Sequence, residues 1–250
     1  MQREGSLKNE RVLVIIPAFN EALNISRVVA GVKTTIGTAD ILVIDDGSQD
    51  DTAELARSAG ARVVSHPFNM GYGVAIQTGY KYALMNNYEY VVQVDGDGQH
   101  EPDSILDVLH PVILGEADFA LGSRFLGTKC YVPSFSRKIG MFVFRKIVSI
   151  IIRKRISDCT SGFLAFNRHV MLFFVKDIFP CDYPDADVLI SLHRAGFKIK
   201  EVAVEMHENT QGRSMHSGLS PLYYTFKMLL SILVVLLRSR TFYRGEKNDS

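Results

Sequence analysis

The sequence predicts an α/β chain: a doubly wound, mostly parallel sheet with helices on both faces, followed by a C-terminal amphipathic helix. Three observations carry this expectation. From residue 11 onward, short β-branched runs alternate with longer amphipathic stretches, the pattern of strands joined by crossover helices. The runs are apolar at consecutive positions, as in strands covered on both faces. Three of them end in polar or acidic turns, and sheets of this kind bind ligands at the carboxyl ends of their strands.

Taken in order, residues 12–16 read as a buried strand closed by Pro17, and 21–32 as a helix. Residues 41–44 form the second strand, followed by a helix over 51–58 capped by Ser48 or Asp50. A third strand at 63–65 leads to a helix over 74–85, and a fourth strand at 90–94 ends at an acidic turn. Past Pro102, a helix over 105–114 precedes a strand at 119–121 that runs into Gly122-Ser123-Arg124-Phe125. A long basic and apolar helix covers 137–155, and a strand covers 164–166. Helical stretches after His169 and after Asp185, a strand at 200–206 and a separate helix at 219–238 complete the reading.

The chain has 250 residues, 47% hydrophobic and 22% charged, enough for one sizeable core and too little for a large multidomain machine. A net charge of +1 argues against a surface that coats nucleic acid. The three cysteines, Cys130, Cys159 and Cys181, are widely spaced and form no CxxC pair. That disfavours a zinc site or a disulfide framework and points to a reducing compartment. Residues 1–11 are polar where a signal peptide would need an apolar stretch. The strongest apolar segment, 222–237, contains Lys227 and is shorter than the roughly twenty residues of a spanning helix. It is therefore read as lying on a bilayer rather than crossing it. The small net charge hides an uneven distribution: 137–155 holds seven basic residues and no acid, and 227–247 five basic residues and one acid. An acidic body with two basic, apolar helices is expected, the second favouring an anionic lipid surface.

Asp95 and Asp97 form the most informative pair. Residues i and i+2 leaving an extended strand point to the same side, so both carboxylates can share one hard cation, with the Gln99 carbonyl as a third ligand. Such a cation suits a diphosphate, which supplies further oxygens and charge to neutralise. A solvated D-x-D turn is the competing reading. Asp45-Asp46-Gly47-Ser48 follows a wholly apolar strand; the competing reading is that Ser48 or Asp50 only caps the next helix, whereas a free Asp46 can accept hydrogen bonds from a nucleobase or ribose. Asn69-Met70-Gly71-Tyr72-Gly73 places glycines at a helix start, where backbone N–H groups can approach a ligand.

Val14-Ile15-Ile16-Pro17-Ala18-Phe19-Asn20-Glu21, Asp45-Asp46-Gly47-Ser48-Gln49-Asp50, Asn69-Met70-Gly71-Tyr72-Gly73, Asp95-Gly96-Asp97-Gly98-Gln99-His100 and Gly122-Ser123-Arg124-Phe125 occur in that order. Together they resemble the ordered blocks of family-2 glycosyltransferases, and most nearly the dolichyl-phosphate mannose synthase-like branch. The resemblance runs from about residue 11 to about 218, and several blocks in order are far more specific than any one. It implies a GT-A fold, a nucleotide-diphosphate sugar donor, Mg2+ or Mn2+ as cofactor, and inversion at the anomeric carbon. It places Pro17, Phe19, Glu21 and Asp46 around the nucleoside, with Gly71 in the adjoining loop, and Asp95, Asp97 and Gln99 at the metal and diphosphate. Arg124 and Arg137 would face phosphates or acceptor, and Asp185 and Asp187 resemble the acidic pair that approaches the acceptor.

One block departs from the pattern. Relatives with lipid-phosphate acceptors usually carry Arg and Lys around a Gly-x-Ser core. Here Gly212-Arg213-Ser214 is present, but Asn209 and Met215 occupy the basic positions, leaving Arg213, His207 or His216 to substitute. The acceptor is thus open between a lipid phosphate and a glycan, and the donor base and sugar are not specified by these motifs. The implied organisation is a flexible N-terminus over 1–10 and a transferase domain over 11–218, with a nucleotide half at 11–100 and an acceptor half at 101–218. An interfacial helix over 219–240 and a polar tail over 241–250 follow. A cytoplasmic location, peripheral on a membrane face, follows from the same reading, and an oligomer is left open. Two rivals remain. A nucleotidyltransferase would use similar carboxylates but would carry a basic, glycine-rich loop after the first strand, where Ala18-Phe19-Asn20-Glu21 stands. A catalytically silent nucleotide-sugar-binding protein would have no need of both Asp95 and Asp97.

Overall fold

The computed structural model describes residues 10–126, 135–176, 179–180, 184–206 and 220–238, and within these the side chains outside 135–143 and 220–224. β1 (Val12–Ala18) is buried along its whole length, because an unbroken aliphatic run has no polar face to turn to solvent. Leu13 and Ile15 enter one core, while Val12, Val14 and Ile16 enter the other. β2 (Asp40–Asp45) pairs parallel on one side of β1 and β4 (Tyr90–Gln93) on the other, with β3 (Arg62–Ser65) outside β2. β5 (Phe119–Ser123), β6 (Leu164–Asn167) and β7 (Ile199–Ala203) extend the sheet to the order β3-β2-β1-β4-β6-β5-β7. Only β6 runs against its neighbours, so the sheet is mostly parallel, as expected. The direction of winding reverses between β1 and β4, and the crevice beyond their carboxyl ends is where such sheets take ligands.

The helices are α1 (Ile25–Thr35), α2 (Thr52–Ser58), α3 (Tyr72–Met85), α4 (Ser104–Ile113), α5 (Phe135–Ile152), α6 (Arg168–Phe174), α7 (Ala186–Ala195) and α8 (Ser220–Leu237). Residues from α1, α2 and α4 build one core, and residues from α3, α5, α6, α7 and α8 the other. The terminal helix does not stand alone: its Met228, Ile232 and Val235 belong to the same core as Leu189 and Leu192 of α7.

Several boundaries differ from the sequence expectation for physical reasons. Pro17 does not close β1. The β4 ladder stops at Ile15, so the missing proline N–H leaves no bond on that side unmade. α1 starts at Ile25 rather than 21: residues 22–24 form a turn closed by the Asn24 N–H on the Glu21 carbonyl, and the N–H groups of residues 20–22 go to the side chains of Ser48, Thr52 and Asp50. α2 is not capped by Ser48. Its N-cap is Asp51, without a side-chain cap bond, and the Asp50 carboxylate takes the Thr52 N–H at 3.1 Å. The expected last strand at 200–206 ends at Ala203, with Met206 pairing only in an isolated bridge to His100.

Candidate active site

The first turn, after β1, is stitched to the second, after β2. Asn20 N–H donates to Ser48 Oγ at 2.9 Å, Glu21 N–H to Thr52 Oγ1 at 2.8 Å, and Gln49 N–H to Asn20 Oδ1 at 2.8 Å. Asn20 adopts φ 56°, a left-handed conformation that asparagine tolerates. Phe19 is left 42% exposed beside these turns, where an aromatic face can meet a flat ring. Burial pushes the Glu21 carboxyl up; the Asn24 amide, which donates to it at 2.9 Å, opposes this, while Asp97, Asp50 and Asp95 add to the rise through their charge.

Asp46 is not available to a ligand as expected. Its Oδ1 accepts from His66 Nδ1 at 2.7 Å and from Met70 N–H at 2.9 Å, and its Oδ2 accepts from Gly71 N–H at 2.9 Å. The glycine loop therefore gives these two N–H groups to a carboxylate of its own chain. Gly71, at φ 96°, occupies a backbone region that side chains avoid, which lets both N–H groups turn inward and α3 begin at Tyr72. Asp46 and His66 build the wall of the crevice.

Asp95 and Asp97 lie past the end of β4 on a turn rather than on extended strand, so the expected same-side geometry of a strand does not apply. Each Asp95 oxygen has one donor: Tyr72 Oη at 3.0 Å on Oδ1 and His100 Nε2 at 3.0 Å on Oδ2. Burial alone would raise this carboxyl, but the His100 bond and charge, the Tyr72 bond and the Arg124 charge outweigh it and hold Asp95 below the ordinary range. Asp97 is pushed the other way, first by burial and then by the negative charge of Asp95, with the Gln99 N–H, His100 and Arg27 opposing. Gln99 donates that N–H to Asp97 Oδ1 at 3.0 Å.

Among the described residues, no three His, Cys, Asp or Glu side chains form a ready metal cage. The residues nonetheless fit a divalent cation. Asp95 is ionised and oriented, and Asp97 and Glu21 repel each other and Asp95 within a partly desolvated crevice. Two carboxylates with the remaining ligands left to a diphosphate are the usual arrangement for a cation that keeps oxygens from its substrate.

Arg124, expected to face phosphates or acceptor, engages the chain itself through two of its nitrogens. Its guanidinium grips the buried Asp158 with Nε at 2.6 Å and Nη2 at 2.7 Å, and Nη2 also reaches Thr160 Oγ1 at 2.9 Å. The two expected acids are joined by the Asp185 N–H, which donates to Asp187 Oδ1 at 3.1 Å, but their carboxylates differ in surroundings. Asp187 is buried at the start of α7, where its Oδ1 accepts the Val188 N–H at 2.9 Å and its Oδ2 the Ser231 hydroxyl of α8. Asp185 lies near enough to Tyr72 and Cys159 for its charge to raise both groups, which places it on the Asp95 side. Pro17 lies beneath the Asp95–Asp97 turn, its carbonyl oxygen 3.0 Å from where a Gly96 side chain would begin. The Arg137 side chain and Arg213 lie outside the described residues, as do Asn209 and Met215.

Tyr72 and His100 stand within the quoted sequence blocks but were given no role there, and Gln93, Asp158 and Gly162 were not singled out at all. The last three meet the site through contacts across the sheet that no short motif records.

A mostly parallel sheet with paired carboxylates at its switch point is an architecture that nucleotide-sugar-dependent transferases use. Residues 13–173 match the family model described as "Glycosyl transferase family 2", and the chain belongs to that family; it is a glycosyltransferase. It is 32% identical over 221 residues to the polyprenol monophosphomannose synthase of Mycolicibacterium smegmatis, covering 84% of this chain and 82% of that protein. It is 28% identical to the undecaprenyl-phosphate mannosyltransferase of Micrococcus luteus, covering 83% and 88%. Its fold is similar to that of glucosyl-3-phosphoglycerate synthase from Mycobacterium tuberculosis, solved with Mn2+ and uridine-diphosphate-glucose. There the TM-score is 0.65 at 20% identity, covering 93% of this chain and 81% of that one. The GT-A fold expected from the sequence is thus the observed one.

Proposed function

We propose that this glycosyltransferase moves a sugar from a nucleoside-diphosphate donor to a polyprenyl phosphate, with inversion at the anomeric carbon. Asp95 and Asp97 would hold Mg2+ or Mn2+, and α8 would lie on the cytoplasmic face of the membrane. The observation that carries the reading is the acidic turn at the β1/β4 switch point, with one carboxylate locked in its ionised form and two more crowded beside it. When bound, the cation would offset the charge that develops on the departing diphosphate.

The chain's own groups do the rest. Phe19 flanks the base, Pro17 supports the Asp95–Asp97 turn from beneath, the Asp46-anchored loop shapes the wall of the nucleoside pocket, and Asp95 and Asp97 would meet the diphosphate through the cation. A phosphate acceptor arrives ionised and needs no base. A sugar hydroxyl would, and Asp185 rather than the internally bonded Asp187 is the group for it. Arg124, held by Asp158, contributes its charge to the crevice from a fixed position and is not a phosphate clamp. The two relatives named for polyprenyl-phosphate acceptors favour that acceptor class despite Asn209 and Met215.

The test is transfer from a panel of nucleotide sugars, preselected by thermal stabilisation, to a short polyprenyl phosphate. Asp97→Ala should abolish transfer to any acceptor, whereas Asp185→Asn should leave the phosphate acceptor largely active. A fully active Asp97→Ala enzyme overturns the metal reading, and activity confined to hydroxyl acceptors overturns the lipid-phosphate one.

A further inference from the structure

Beneath Asp95 runs a line of side chains joined by hydrogen bonds. Tyr80 Oη of α3 donates to Gln93 Oε1 of β4. Gln93 Nε2 donates to the Gly162 carbonyl at 3.0 Å and to Tyr72 Oη at 2.9 Å, and Tyr72 Oη donates to Asp95 Oδ1 at 3.0 Å. The direction of every bond is fixed. The Gly162 carbonyl can only accept, so it holds the amide NH2 on its own side, and Tyr80 meets the amide oxygen. Tyr72 oxygen then receives a hydrogen from Gln93, and its single hydrogen has Asp95 as its acceptor. With His100 on the other oxygen, the carboxylate is pinned from both sides, leaving its outward lone pairs directed away from these donors.

Tyr72 also opens α3 directly after Gly71, whose N–H is held by Asp46. The same short loop is therefore tied at one end to the wall of the nucleoside pocket and at the other to the acidic turn.

We propose that Tyr72 and Gln93 are positioning residues of the metal site: Gln93 aims the Tyr72 hydroxyl, and that hydroxyl sets the orientation in which Asp95 meets the cation. This rests on the reading that Asp95 holds a divalent ion. Groups that orient a metal ligand through one hydrogen bond typically change metal affinity by about 10–100-fold when removed. Gln93 is already oriented by Gly162, so the more distant Tyr80 hydroxyl matters little to Asp95.

The experiment is Mn2+ binding by electron paramagnetic resonance, in the presence of UDP and, separately, GDP, for the wild type, Tyr72→Phe and Tyr80→Phe, with melting temperatures recorded alongside. Tyr72→Phe should weaken Mn2+ binding about tenfold, with kcat largely restored at saturating Mn2+. Tyr80→Phe should bind within about twofold of wild type. Equal affinity in wild type and Tyr72→Phe overturns this inference alone. An equal loss in both variants, tracking the melting temperature, overturns it in favour of a general packing role. A wild type that retains no Mn2+ with either diphosphate overturns the metal reading itself, and this inference with it.

Discussion

A methyl group on Gly162 would begin 2.5 Å from Asp95 Oδ2, 2.7 Å from its Oδ1 and 2.9 Å from the Tyr72 hydroxyl. The residue is small because the acidic turn needs that space. Gly162→Ala should therefore push the carboxylate out of its place and raise the Mn2+ concentration for half-maximal activity by about tenfold or more, since ligand orientation is what is lost. The overpacking should cost about 1–3 kcal/mol of stability, measured by urea unfolding. A variant with wild-type metal dependence would show that Asp95 tolerates displacement. Asp95 and Asp97 were legible in the sequence because two acids lie side by side at a strand end, a local signal. Gly162 and Gln93 were not, because a glycine in a polar loop and a glutamine in a strand reveal their roles only once residues 69 apart meet. Asp46 was legible as a site residue but not in its direction: its partners His66, Met70 and Gly71 lie 20 to 25 residues on.

Every strand and helix among the described residues was expected from hydrophobic period and turn residues, since both are set within a window of about a dozen residues. Two things escaped that window. Helix starts moved where a turn held by distant side chains precedes the helix, as at α1. The antiparallel course of β6 has no hydrophobic signature at all, because an apolar run reads alike in both directions. The α7–α8 contact was likewise invisible, and it carries a buried charge. Burial pushes the Asp187 carboxyl up, and the Ser231 hydroxyl with the Val188 and Asp185 N–H groups offsets only part of this. A carboxyl raised in the folded state binds its proton more tightly there than when unfolded. Its ionisation therefore subtracts stability as pH rises through the ordinary value of 3.8, until the folded value is passed. Asp187→Asn keeps an oxygen for the Val188 and Asp185 N–H groups, turns an NH2 toward the Ser231 hydroxyl, which can accept it, and removes the penalty. Its stability relative to wild type should increase from about pH 4 upward and then level off. Urea titrations across that range check it, and a difference that stays flat with pH would show that the carboxylate is ionised without cost.

At the scale of the whole molecule, α8 is the element with apolar side chains on two faces. Met228, Ile232 and Val235 enter the core, while Phe226, Leu229, Leu230, Leu233 and Leu237 stay exposed, Leu233 at 51%. Arg194 of α7 donates to the carbonyls of Leu236 at 3.3 Å and Arg238 at 2.6 Å, tying down the helix end. Among the described residues, no helix is long and apolar enough to cross a membrane. An amphipathic helix whose outer face carries this many leucines is suited to lie in a lipid interface, where each fully buried leucine contributes about 1.5–3 kcal/mol. Removing residues 219–250 would be a poor test, because it would open the core on which α7 rests. Leu230→Glu with Leu233→Glu alters only the exposed face. That variant should keep its fold and its activity on detergent-dispersed acceptor, yet lose most of its flotation with anionic liposomes. Each charge placed in the interface also adds a desolvation cost where the leucine had gained from burial. Flotation equal to wild type would mean that α8 does not carry the membrane contact, and the basic helix α5 would then be the surface to mutate.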